Sequence, residues 1–207
     1  MSLKNMIELE DVWKRFGERW ILKGVNLKLD KGIYAFVGDN GTGKTTLLKI
    51  VAGLIKPSKG VVRILGRDLR KFKDYKRFLG VLLHESVLYE ELTVRENLMF
   101  YAKAYGVFSD LAKDVFNEFG LERFENSKVK ELSFGWKKRA NLVRALINDP
   151  KIVLLDEPFA GLDDVARETV KELMLRLSRE RVVVFTSPIP PNFRCKVFKI
   201  EDGVVHD

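Results

Sequence analysis

The chain has 207 residues, 46% of them hydrophobic, enough for one sizeable α/β domain but not for two. No apolar run approaches the ~18 residues of a membrane-spanning helix, residues 1–30 carry no basic leader followed by an apolar core, and Cys195 is the single cysteine. A secreted, membrane-spanning or internally disulfide-bonded protein is therefore not expected, and a reducing cytoplasm fits. The excess of 37 Lys and Arg over 29 Asp and Glu, a net charge of +8, is spread along the chain without a basic tail or nucleic-acid motif, which reads as a solvated surface; nucleic acid is not an expected partner.

In chain order, Met6–Val12 and Val25–Leu29 alternate enough to predict strands, and Ile33–Val37 reads as a buried strand. The next eight residues, Gly38, Asp39, Asn40, Gly41, Thr42, Gly43, Lys44 and Thr45, match G-x-x-x-x-G-K-S/T at every fixed position. Glycines let successive backbone N–H groups turn toward phosphate, and a helix starting near Lys44 adds the positive end of its dipole. Lys44 would reach the β- and γ-phosphates, Thr45 would put its hydroxyl on Mg²⁺, and Thr46 offers a further hydroxyl. A chance glycine-rich turn explains neither the strand before this loop nor the helix after it.

Lys44–Leu54 is the predicted helix, stopped by the turn from Lys56 to Gly60; Val61–Leu65 resumes strand character and Leu79–Leu83 is a short apolar run. From Thr93 to about Gly120 the pattern is helical, with a capping box between Thr93 and Glu96 and breaks at Gly106 and Gly120. Ser133–Ile147 reads as a helix, Lys151–Leu155 as a buried strand, Asp163–Leu177 as a helix and Val182–Thr186 as another buried strand. This alternation predicts an α/β fold, a largely parallel sheet covered by helices. At the end of one buried strand four apolar residues, Ile152 to Leu155, run into Asp156 and Glu157. Two solvated turn acids would be unremarkable alone. With the phosphate loop they supply what is missing there: Asp156 to support Mg²⁺, Glu157 to polarise a water attacking the γ-phosphate.

Leu132-Ser133-Phe134-Gly135-Trp136 lies just upstream of these acids and Ala160-Gly161-Leu162-Asp163 just downstream. With them, essentially the whole chain resembles the nucleotide-binding subunits of ATP-binding-cassette (ABC) transporters, and Leu88–Leu98 is similar to the prokaryotic exporter type. The resemblance implies a RecA-like P-loop NTPase core with an amino-terminal antiparallel β region, organised as a single nucleotide-binding domain over 1–207 with a helical subdomain at about 84–146. It also implies ATP and Mg²⁺ as cofactors, hydrolysis to ADP and phosphate, and Glu157 as the catalytic residue. Two such domains would meet head to tail as a homo- or heterodimer, Ser133, Phe134, Gly135 and Asp163 of one closing over the ATP of the other. Partners would include a transmembrane permease subunit, placing the chain peripherally on the cytoplasmic face of the membrane. Phe16 matches the aromatic that stacks on adenine; the other reading is an aromatic simply packed, with Trp13 nearby.

Two positions depart from the family. His84 stands where the family has glutamine, either approaching Mg²⁺ or the attacking water, or remaining a loop histidine without a ligand. Thr186-Ser187-Pro188 stands where the family has Thr-Ser-His, so the histidine that contacts the γ-phosphate is missing. Either turnover is slowed or another group substitutes. An ABC-type ATPase switch in assembly or nucleic-acid work, and a regulatory nucleotide-binding partner with weak hydrolysis, stay as alternatives to transport.

Overall fold

A computed structural model of the chain describes residues 5–207, so the first four residues of the expected 1–207 domain lie outside the described residues. Strands β1 (Ile7–Phe16), β2 (Arg19–Leu29), β4 (Lys59–Ile64) and β5 (Arg67–Asp68) form an antiparallel sheet in the order β2-β1-β4-β5. A second sheet runs β10-β9-β3-β8-β7-β6, built from β3 (Gly32–Val37), β6 (Leu79–Leu82), β7 (Ile152–Leu155), β8 (Val182–Ser187), β9 (Lys196–Glu201) and β10 (Val204–His206). It is parallel from β9 through β6, with only the β9–β10 hairpin antiparallel.

The apolar runs that mark β3, β7 and β8 follow from burial on both faces. Ala35, Val153, Leu155, Val183 and Phe185 pack into a core with the helices α2 (Val94–Tyr105), α3 (Asp110–Glu118), α4 (Phe134–Leu146) and α5 (Asp164–Ser178). Their alternating neighbours Phe36, Ile152, Leu154, Val182 and Val184 pack into a second core with α1 (Lys44–Val51) and the antiparallel sheet. A period of two with apolar residues in both phases is what a central parallel strand requires.

The helical stretch expected from Thr93 to Gly120 divides into α2 and α3 at Gly106, which adopts φ 73°. Thr93 and Glu96 form the expected capping box, Glu96 N–H donating to Thr93 Oγ1 at 3.1 Å and Thr93 N–H to Glu96 Oε2 at 2.8 Å. Two features exceed the sequence reading. β2 begins at Arg19, six residues before the predicted strand, because its pairing with β1 carries on to Phe16↔Arg19. The β9–β10 hairpin was not anticipated, although Lys196–Glu201 alternates exposed residues with buried Phe198 and Ile200.

Helix α4 lies directly on β6. A Cβ on Gly80 would run into the Ala145 carbonyl oxygen, and the Arg144 guanidinium donates to the Val81 carbonyl at 2.5 Å. Gly80→Ala is accordingly expected to lift α4 off the sheet and to lower unfolding free energy by about 1–3 kcal/mol, the usual cost of overpacking. Urea denaturation followed by circular dichroism measures it; an unchanged midpoint would mean the helix yields without cost.

Candidate functional site

The loop Gly38–Gly43 sits at the carboxyl end of β3 and feeds α1. Gly43 is the N-cap of α1 at φ 109°, with Leu22 and the Ile21 carbonyl closing over its α-carbon, so a side chain there meets both strain and collision. Thr42 folds the loop back by donating its hydroxyl to the Asp39 carbonyl at 2.9 Å. No acidic residue occupies the first turn of α1, leaving its N-terminal dipole uncompensated and favourable to an anion. Lys44 is only 5% exposed, and its Nζ donates to the carbonyls of Gly38 at 2.6 Å and Asp39 at 2.8 Å. The ammonium is thus held over the loop by neutral acceptors, which a phosphate can replace.

The strand order puts β8 beside β3 and β7 beyond it, and with them the second half of the site. Asp156, 1% exposed, accepts hydrogen bonds on Oδ1 from Thr45 Oγ1 at 2.9 Å and from Thr186 Oγ1 at 2.7 Å. Its other oxygen, Oδ2, is buried without a hydrogen-bond partner. A buried carboxylate oxygen is costly to leave unpaired, so this atom marks a place for a cation or a donor beside the Thr45 hydroxyl. Hard oxygen donors of this kind fit Mg²⁺ completed by phosphate oxygens and water.

Glu157 follows in the left-handed region at φ 46°, its N–H donating to Thr186 Oγ1 at 2.9 Å. With Thr186–Phe193, Phe159 and Arg167 it lines a cavity of about 580 Å³. Pro188 lies on this wall, exposed, and Ser187 Oγ donates to the Ile189 carbonyl at 2.6 Å. The sequence places Thr186 in the Thr186-Ser187-Pro188 motif and at the end of a buried strand but gives no sign of its bridging role, since its partners are 29 and 30 residues away.

The flanking candidates fare differently. Phe16 is 52% exposed at the β1–β2 turn, with Lys14 Nζ 4.8 Å from its ring centroid. Trp13 instead packs edge-on against Trp20 at 5.4 Å and donates Nε1–H to Asp11 at 2.6 Å. Phe16 therefore keeps a free face on the hairpin that leans on Gly43, whereas Trp13 does not. His84 is exposed two residues beyond Leu82, which pairs with Leu155, so it reaches the sheet end that carries Asp156; among the described residues it has no hydrogen-bond partner.

Ser133 caps the amino end of α4 in backbone geometry, but its side chain makes no capping bond and is exposed, beside Phe134 at 51% exposure. Among the described residues no hydrogen bond or ion pair joins Ser133–Gly135 to the loop 38–46. With no acidic residue in its first turn, this helix end is electrostatically suited to an anion. Asp163 is engaged within the chain: Oδ1 accepts from Ala166 N–H at 2.8 Å, capping α5, and Oδ2 pairs with Arg139 at 2.9 Å. Arg139 lies 4.1 Å over Trp136, and Lys138, a buried residue of α4, donates to the carbonyls of Glu157 and Ala160.

Three comparisons bear on this arrangement. The family model described as ABC transporter matches residues 22–160. The spermidine/putrescine import ATP-binding protein PotA of Spiroplasma citri is 36% identical over 87% of the chain and 53% of its own length. The ABC transporter ATP-binding protein NatA of Bacillus subtilis is 35% identical over 89% of the chain and 80% of its own length. The chain thus spans about half of one relative and four fifths of the other. A solved dimeric ATP-binding cassette in a post-hydrolysis state, bound to ADP and Pi, superimposes with TM-score 0.85 at 30% identity, covering 98% of this chain and 97% of that one.

The Thr186 hydroxyl joins Asp156 to the Glu157 N–H, so Thr186→Val leaves that N–H without its acceptor and Asp156 Oδ1 with Thr45 as its remaining donor. We expect a loss of about 1–3 kcal/mol in unfolding free energy, read from urea denaturation. A variant as stable as the parent would show that water replaces the hydroxyl.

Proposed function

The chain belongs to the ABC transporter family, and on that premise we propose that it is an ATP-binding, ATP-hydrolysing subunit that powers substrate translocation by a membrane transporter. The observation that carries this reading is the meeting of the Lys44 loop, the Thr45–Asp156 bond with its unpaired oxygen, and Glu157 in the lining of a cavity. Loop N–H groups and Lys44 bind the β- and γ-phosphates, Lys44 exchanging its two carbonyl acceptors for phosphate oxygens. Thr45 and Asp156 would hold Mg²⁺, whose chemistry there is neutralisation of phosphate charge. Glu157 orients a water and takes its proton as the oxygen attacks the γ-phosphorus; the bond to the bridging oxygen breaks and ADP leaves.

Residues 1–207 serve as one nucleotide-binding domain with the helical region of about 84–146 inserted in it. Continuity of the core from β7 and β8 into α2, α3 and α4 supports this. A second such domain completes each site: Ser133, Phe134 and Gly135 present an open helix end, and Asp163 fixes the neighbouring turn. The chain would dock peripherally at the inner membrane face through a transmembrane permease subunit. Exposed Met99 and Phe100 on α2, with Tyr89 edge-on against Phe100 at 5.2 Å, form an apolar patch suited to a partner, and among the described residues no helix is long and apolar enough to cross a membrane.

Glu157→Gln is expected to retain ATP, slow hydrolysis by about 10²-fold or more, and accumulate an ATP-bound dimer. Steady-state ATPase assays and light scattering with ATP and Mg²⁺ test it; a strictly monomeric variant with undiminished turnover contradicts the reading.

One observation favours a second reading, that of a slow or regulatory ATPase. Pro188 offers no donor where the family has histidine, and proline lacks even an N–H. Losing one preorganised donor to developing phosphate charge costs about 10²-fold or more in rate. Pro188→His is expected to raise turnover by roughly tenfold with little change in nucleotide affinity, the gain being limited by the aim of a proline-rich loop. Brisk parental hydrolysis with no gain in the variant would identify another group, His84 first, as the substitute.

A further inference from the structure

We propose that Lys138 is a positioning residue for hydrolysis: by bonding the carbonyls of Glu157 and Ala160 it fixes the turn that carries the general base to the amino-terminal half of α4. The proposal rests on reading Glu157 as that base. Lys138 Nζ donates to the Glu157 carbonyl at 2.5 Å and to the Ala160 carbonyl at 2.9 Å. Glu157 is non-glycine at φ 46°, a conformation that persists only where its surroundings over-determine it. Its backbone is clamped from two directions: β8 holds the N–H through Thr186 Oγ1, and α4 holds the carbonyl through Lys138.

Lys138 is 5% exposed and pairs with no carboxylate among the described ion pairs. Burial pushes its ammonium down to about 8, against the opposing pull of the Glu157 and Asp156 charges. An apolar side chain of the same volume would fill this space without that desolvation cost. What lysine adds is two directed bonds to the turn. Its neighbours hold the same turn at other points. The Phe134 ring covers Gly161, where a Cβ would collide with it, and Arg139 pairs with Asp163. The end of α4 that carries Ser133 and the turn that carries Glu157 therefore form one block. An anion seated at Ser133 would act through Lys138 on the aim of Glu157.

The test uses the purified full chain with Lys138→Met, which keeps length and volume but loses the donors, and Lys138→Arg, which keeps the donors. Steady-state ATPase, nucleotide affinity and the urea midpoint are measured for each. Expected is a kcat lowered by about tenfold in Lys138→Met, with KM for ATP and nucleotide affinity within about twofold of the parent, and substantial recovery in Lys138→Arg, since misplacing a reacting group by about 1 Å can cost that much or more. A kcat within twofold of the parent overturns the proposal. So does a loss that Lys138→Arg shares in proportion to a lowered urea midpoint, which marks a merely structural role. If Lys138→Met does not fold, Lys138→Leu, which likewise has no donor, replaces it and must show the same kcat loss. A Glu157→Gln variant hydrolysing at the parental rate in the same assay would remove the base reading itself, whereas a Glu157→Gln loss beside an unimpaired Lys138→Met overturns Lys138 alone.

Discussion

One carboxylate, Asp156, ties the site together. Its Oδ1 receives two hydroxyls, from Thr45 at the start of α1 and from Thr186 on β8, while the carboxylate itself ends β7. Two strands and one helix are thereby registered at one buried oxygen, where low local dielectric strengthens each bond and penalises its loss. Thr186 extends the same network to the Glu157 N–H, so the geometry of the proposed base depends on the group that holds the proposed metal. The unpaired Oδ2 is the one position in this network left for an incoming ligand.

On the proposed reading a single chain holds half of each site. Its phosphate loop is well formed, with Lys44 already held in place, while the Ser133 side chain at the end of α4 makes no capping bond. The two features sit on different elements, α1 and α4. Dimerisation is the economical way to bring one chain's helix end to another's phosphates, as the family's dimeric cassette structures accord with. Because α4 is seated on β6 without even a methyl group's clearance at Gly80 and is bonded to the turn after Glu157, the helix cannot shift independently of the sheet or of the acid. Rigid packing of this kind converts a small displacement at one end into a displacement at the other.

Electrostatics is arranged locally, whatever the net +8 charge. The surface ion pairs, such as Lys130 with Glu91 and Arg176 with Glu118, are exposed and contribute little each. The consequential charges are the buried ones: Lys44, Lys138 and Asp156. Each is satisfied mainly by neutral groups, two carbonyls for each lysine and two hydroxyls for the aspartate. Neutral partners leave the charge itself available, for a phosphate at Lys44 and for a cation at Asp156.

The phosphate loop, the acidic end of β7 and the alternation of strand and helix were legible in the sequence, because each is written in a few consecutive residues. Eight residues specify the loop, and four apolar residues before two acids specify the strand end. The β9–β10 hairpin was legible in principle, through the alternation at Lys196–Glu201, but its exposed face dilutes the signal that burial on both faces gives β3 and β7. The free face of Phe16 against the packed Trp13, the cap formed by Asp163, the hydroxyl bridge of Thr186 and the clamp of Lys138 were decided only by the tertiary structure. The Thr45–Asp156 bond spans 111 residues and exists because β8, late in the chain, inserts between β3 and β7. Periodicity reports which face of an element is apolar; it carries no information on which strand lies beside which, and that order is what brings these side chains within a hydrogen bond of one another.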